Sequence, residues 1–152
     1  MRPARAVAVL LVVLTAGACS KHEYEPEGNR EARLQDAEER YAEVVWDTIA
    51  WEGEGQRELA GNGVYAARCR NCHGTLGEGA TEYGASRGLE VPSLVEPEWE
   101  MAGRIDLVRH RVFVGHAGGM PIWGVAGLTE REIDAVAYYV VESLRPEVMG
   151  GG

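Results

Sequence analysis

Cys69-Arg70-Asn71-Cys72-His73 is the stretch of this sequence whose residue types and spacing specify a chemistry. Two thiols three positions apart, followed at once by an imidazole, form C-x-x-C-H. That spacing lets both sulfurs add to the two vinyl groups of one haem while the next residue ligates its iron. A turn of helix sets the sulfurs against one edge of the porphyrin and forces the imidazole beneath the metal. Other uses of these residues are weaker. A thioredoxin-like redox pair requires a βαβ setting, which this Gly-rich, helix-flanked segment lacks. A zinc centre needs four ligands, and His22, His110 and His116 stand at no recognisable spacing from the pair. Chance is a poor explanation in a chain with 3 cysteines.

The remaining thiol, Cys19, belongs to a different context. Arg2 and Arg5 precede an apolar run from Ala6 to Ala16 that ends in the small residues Ala16-Gly17-Ala18. The run falls short of the ~20 apolar residues that span a bilayer. A basic start, a short apolar centre and small residues make residues 1–18 a secretory signal, so an exported protein is expected. Covalent haem suits an exported chain, which has no cytoplasmic supply to replace a lost cofactor. Cys19 directly after the small residues resembles the acylation box of bacterial lipoproteins, which implies lipid attachment at Cys19. Ala16 stands where that box favours Leu, and Ala16-x-Ala18 is equally a general signal-peptidase site that would leave the thiol unmodified. Ser20 gives no sign of retention on an inner membrane.

Elements must bring these residues together. The chain of 152 residues, 45% apolar and 26% charged, is sized for one domain and is neither wholly disordered nor multi-pass membrane protein. Its net charge of -9, without a basic run, argues against nucleic acid and for cationic docking partners. Lys21 to Asn29 reads as a solvated tether. Leu34, Ala37, Tyr41, Val44, Val45, Thr48 and Ile49 recur at helical steps, predicting one amphipathic helix of about five turns that Gly53-Glu54-Gly55 ends. Packing on its own domain is the preferred role for that helix; binding a partner is the alternative. Thr129, with Glu132 three residues on, forms a capping box for a last helix whose buried stripe is Ile133, Val136, Ala137, Val140 and Val141. The expected divisions are 1–18 signal, 19–54 acidic tether and amphipathic helix, 55–147 main domain and 148–152 Gly-rich tail.

With these residues in view, Gly61 to Leu144 resembles the small class I c-type cytochromes. In that family a glycine lies eight residues before the first haem cysteine and an aromatic four before it, as Gly61 and Tyr65 do here; the glycine lets the first helix cross the last closely. Tyr138 falls where the family places an aromatic near that crossing. Gly118-Gly119-Met120-Pro121 is similar to the family's methionine loop, which implies Met120 as second iron ligand. Thioether sulfur is a soft donor for reduced iron and raises the potential relative to two imidazoles. Glycines allow close backbone approach, and Pro121 confines Met120 to extended geometry. Met101, in a helix-like stretch, and Met149, in the tail, lack such a context, while His116 and His110 are rival ligands. Pro92 resembles the proline whose carbonyl accepts a hydrogen bond from the axial imidazole; a plain loop proline is the alternative. Trp123 and Leu94, with Trp99 and Ile105, are expected crevice walls, and Arg104, Arg109 or Arg87 are expected partners for propionates.

The resemblance implies an all-α fold of several helices around one covalently bound haem c, preceded by an acidic helical stalk. With His73 and Met120 filling both axial positions, one-electron exchange is the expected function, and no catalytic constellation appears around Ser20, Ser86, Ser93 or Ser143. The first expectation is a lipid-tethered one-electron carrier at the periplasmic membrane face, not itself an enzyme, with a redox protein as donor and another as acceptor and no small-molecule substrate. A fixed cytochrome subunit of a larger respiratory reductase or oxidase is the alternative, and a haem-based ligand sensor is a third.

Overall fold

The computed structural model describes residues 29–150; residues 1–28, with the signal, Cys19 and most of the tether, and residues 151–152 lie outside the described residues. All regular elements among the described residues are helical, as an all-α cytochrome requires.

Helix α1 (Arg30–Glu43) is capped by Asn29, whose side-chain oxygen accepts from the Glu31 N–H at 3.0 Å. It ends after 14 residues instead of continuing through Ile49: the backbone becomes extended at Val44, and Trp46–Thr48 form a separate 3-10 turn. Val44 and Val45 are β-branched and give up little by leaving a helix. Leaving it brings the Trp46 ring to 5.2 Å from Tyr41 and 6.0 Å from Phe113, with the Arg109 guanidinium 4.8 Å over the indole. Aromatic burial of that kind is worth more than a few tenths of a kcal/mol of helix propensity. Helix α1 packs along α5 (Ile105–Val114) through fully buried Ala37 and half-buried Leu34 and Tyr41. The preferred reading of its apolar stripe, packing on its own domain, therefore matches the contacts.

Helix α2 (Glu54–Val64) runs through a wider π-type turn at Tyr65–Cys69 into the single-turn α3 (Arg70–His73). After the short α4 (Glu82–Ala85), α5 and the one-turn α6 (Trp123–Ala126), the chain closes with α7 (Glu130–Tyr138). A π-type segment, Tyr139–Leu144, carries α7 into α8 (Arg145–Gly150). The expected capping box is formed: Thr129 Oγ1 accepts from the Glu132 N–H at 3.2 Å, and Glu132 Oε2 accepts from the Thr129 N–H at 2.9 Å.

Helices α2 and α7 cross at Gly61. A Cβ there would lie 2.8 Å from the Ala135 carbonyl carbon and 2.6 Å from Tyr139 Cβ, so no other residue fits without separating the helices. The aromatic at this crossing is Tyr139, whose ring is 5.6 Å from Tyr65; Tyr138, the expected residue, instead lies under the Arg57 guanidinium at 4.5 Å. The π-type segment begins at Tyr139, just beyond the end of α7. Around the crossing, Ile133, Val136, Ala137, Val140, Val141 and Leu144 fill the core. Asp134 is buried beside them and accepts from Arg57 at 2.7 Å, Arg109 at 3.0 Å and Trp51 Nε1 at 2.8 Å. This carboxylate ties α2, α5 and α7 together, and removing it would strand two guanidinium groups.

Candidate functional site

Cys69, Cys72, His73, Pro92 and Met120, brought from separate parts of the chain, line one cleft of about 1160 Å³. That is at or above the upper end of ~300–1,000 Å³ for ligand pockets, a size for a macrocycle. The π-type turn delivers the first cysteine and α3 the second. Cys69 is buried and Cys72 half-buried, and both are free thiols. Burial, with Cys72 adding, pushes the Cys69 thiol up to about 12. It is therefore a protonated S–H at neutral pH and not a reactive thiolate.

His73 ends α3, where Gly74 takes the positive φ of 86° that turns the chain away. The buried Tyr65 hydroxyl donates to the Gly74 carbonyl at 2.8 Å, and Gly79 N–H donates to the His73 carbonyl at 2.8 Å, so the residue is fixed on both sides. Burial lowers the proton affinity of the ring, opposed by the Pro92 carbonyl. The neutral imidazole that results is the form with a lone pair for a metal. No hydrogen bond joins the ring to the Pro92 carbonyl: Nδ1 is buried without a partner. Gly79 makes the approach of Pro92 possible: a Cβ there would sit 2.6 Å from the Val91 carbonyl oxygen and 3.0 Å from that of Pro92.

Met120 closes a loop after α5. Gly115, at φ 78°, caps the helix and leaves room for the returning chain, since a Cβ would lie 2.7 Å from the Met120 carbonyl oxygen. His116 N–H donates to the Met120 carbonyl at 3.2 Å, and Gly119 N–H donates to the His116 carbonyl at 3.0 Å. Gly119, at φ 111°, has Leu89 packed where its Cβ would be. From outside the loop, Arg30 Nη2 donates to the carbonyls of His116 at 2.6 Å and Met120 at 2.7 Å.

Two adjacent thiols, a buried neutral imidazole with an unpartnered Nδ1 and a thioether on one cleft fit haem c. They do not fit zinc, because among the described residues no three His, Cys, Asp or Glu side chains converge as a ligand cluster. The cytochrome c oxidase, cbb3-type, subunit III family matches residues 56–140, more than half of the chain. The chain belongs to this family. As a class I c-type cytochrome of the cbb3-type subunit III family, it is similar to cbb3-type cytochrome c oxidase subunit CcoP of Rhodobacter capsulatus, with 33% identity over 63% of this chain and 30% of the relative. A second CcoP from Rhodobacter capsulatus is 31% identical over 72% of this chain and 36% of the relative. CcoP of Rubrivivax gelatinosus is 25% identical over 90% of this chain and 45% of that protein. The chain thus spans less than half the length of these curated relatives. No solved structure matches it significantly.

Of the wall residues expected for this subunit III cytochrome, one differs, and the expected propionate partners differ more. Leu94, Trp99 and Trp123 line the cleft, whereas Ile105 does not. The cations on the cleft are Arg68 and Arg111. Arg104 pairs with Asp106 at 2.7 Å, Arg109 with Asp134 at 3.0 Å, and Arg87 lies 3.7 Å over Tyr83. His110 is engaged by Glu38 at 2.7 Å; His116 lines the cleft, but its Nδ1 accepts from Gly118 N–H at 3.0 Å. Met101 lies in a turn, not a helix, and lines the same cleft. Sequence reasoning also missed Arg145, whose buried guanidinium donates to the carbonyls of Leu94 and Glu96 and holds the segment after Pro92. Long cationic side chains carry no local pattern that marks their destination.

Proposed function

We propose that this chain is an exported cytochrome subunit that passes single electrons within a cbb3-type terminal oxidase or a related respiratory complex. One haem c would be held by Cys69 and Cys72 and ligated by His73 and Met120. The observation that carries this reading is that one cleft gathers both thiols, the imidazole and Met120 in a chain whose relatives are named as oxidase subunits. Those names favour the subunit over the free carrier. When bound, the haem supplies a ferric–ferrous couple. The protein's part would be to offer His73 and Met120 as iron donors, keep His73 neutral by burial, and place the Pro92 carbonyl near its ring. A redox protein would donate electrons and another accept them, the acidic surface favouring a basic docking face. Lipid on Cys19 would keep the domain at the periplasmic face of a membrane; no helix among the described residues is long and apolar enough to cross one.

Native purification in mild detergent from cells expressing the tagged full chain tests this. Stoichiometric recovery of oxidase subunits, with pigment that resists acidified acetone, is the expected result. Migration as a single pigmented species with no partner would leave the free carrier. Rapid carbon monoxide binding by the purified protein would instead favour a sensor.

A further inference from the structure

Helix α1 lies before the segment that matches the family, residues 56–140, yet its first residue reaches the methionine loop. Arg30 Nη2 donates to the His116 carbonyl at 2.6 Å and to the Met120 carbonyl at 2.7 Å. Each oxygen already accepts one backbone N–H of the loop, at 3.0 Å from Gly119 and 3.2 Å from His116, so the guanidinium uses the second acceptor position of both. Bonds from a charged donor are about twice as strong as neutral ones. The placement opposes local preference. A cation in the first turn of a helix faces the positive end of the helix dipole, and Arg30 Nε is buried without a partner. Independent contacts hold α1 in register with α5: Glu38 with His110 at 2.7 Å, and the Tyr41 ring at 5.5 Å from Phe113.

The geometry points to Arg30 as a positioning residue that clamps the backbone of Met120 and thereby sets how readily the thioether leaves iron. This rests on Met120 being the ligand. Pinning both carbonyls removes the motion by which the loop would swing its sulfur away, so the bond breaks less often and an external ligand competes less well. The clamp ties ligand strength to the docking of α1: whatever lifts α1 would release the loop.

The test uses oxidised full-length holoprotein as wild type, Arg30→Met, Arg30→Lys and Glu38→Gln, titrated with imidazole while the far-red methionine–sulfur absorption band is followed. Expected is at least about tenfold tighter imidazole binding for Arg30→Met, the scale of losing one charge-assisted hydrogen bond. Its far-red band should also disappear on heating well before helical circular dichroism is lost. Arg30→Lys should recover part of the effect, and Glu38→Gln, which alters one exposed α1 contact remote from the loop while Ala37, Leu34 and Tyr41 keep the helix docked, should remain within about twofold of wild type. Arg30→Met binding imidazole as wild type does, or losing band and helicity together, overturns the clamp. Absence of the far-red band from wild type would overturn Met120 as ligand instead, so the two failures are distinct.

Discussion

Tyr65 donates its hydroxyl to the Gly74 carbonyl from a buried position, and burial, with Cys69, Glu78 and Tyr139 adding, pushes its ionisation well above the ordinary tyrosine range. A group whose folded-state pKa lies above its unfolded value contributes stability that is complete below the unfolded value, near pH ~10 for tyrosine, and declines as pH rises toward the folded one. Denaturant melts between pH 8 and pH 11 should therefore show stability falling above about pH 10. Tyr65→Phe should flatten that alkaline decline and, by leaving the Gly74 carbonyl unpaired, cost roughly 1–3 kcal/mol at neutral pH. A second measurement concerns the two methionines of the cleft. Met120→Ala should abolish the far-red absorption band and open iron to rapid carbon monoxide binding, whereas Met101→Ala should keep the band and stay closed. The reverse would make Met101 the ligand. Cys69, Cys72 and His73 were legible because haem attachment demands those residue types at that spacing. Arg30 and Arg145 were not, because their partners are backbone carbonyls 86 and 51 residues away, for which a sequence carries no sign.

Among the elements, the crossing of α2 and α7 is the most constrained. Gly61→Val would drive a side chain into the Ala135 backbone and Tyr139. Because backbone rather than a flexible side-chain tip must yield, the loss should reach or exceed the upper part of the ~1–3 kcal/mol typical of overpacking, read as a lowered Tm. Thr129 and Glu132 made the start of α7 readable, since capping is a local interaction three residues long. The end of α1 was not readable. Apolar periodicity continues to Ile49, and what stops the helix at Glu43 is the burial of Trp46 against Phe113, 67 residues later in sequence. The aromatic at the crossing likewise shifted from Tyr138 to Tyr139, a one-residue change that periodicity alone does not resolve.

For the whole molecule, the cleft is where a bound cofactor would bear on stability. Leu94, Trp99 and Trp123 are among its walls, and a macrocycle held there would add apolar packing against them. A Cys69→Ala, Cys72→Ala double variant, freed of haem, should lose most of its helical circular dichroism at 25 °C; native-like helicity would show that the helices pack without the cofactor.

The docking of Arg30 also sets the start of α1 beside the methionine loop. Eleven residue steps separate Cys19 from Arg30, a leash of at most ~40 Å at full extension. With lipid on Cys19, the domain would be moored by the edge of its cleft that carries the methionine loop, and that rim would never stray farther than this from the bilayer. An electron partner standing in the same membrane would then meet a preselected side of the protein, whereas one diffusing above it would have to reach around.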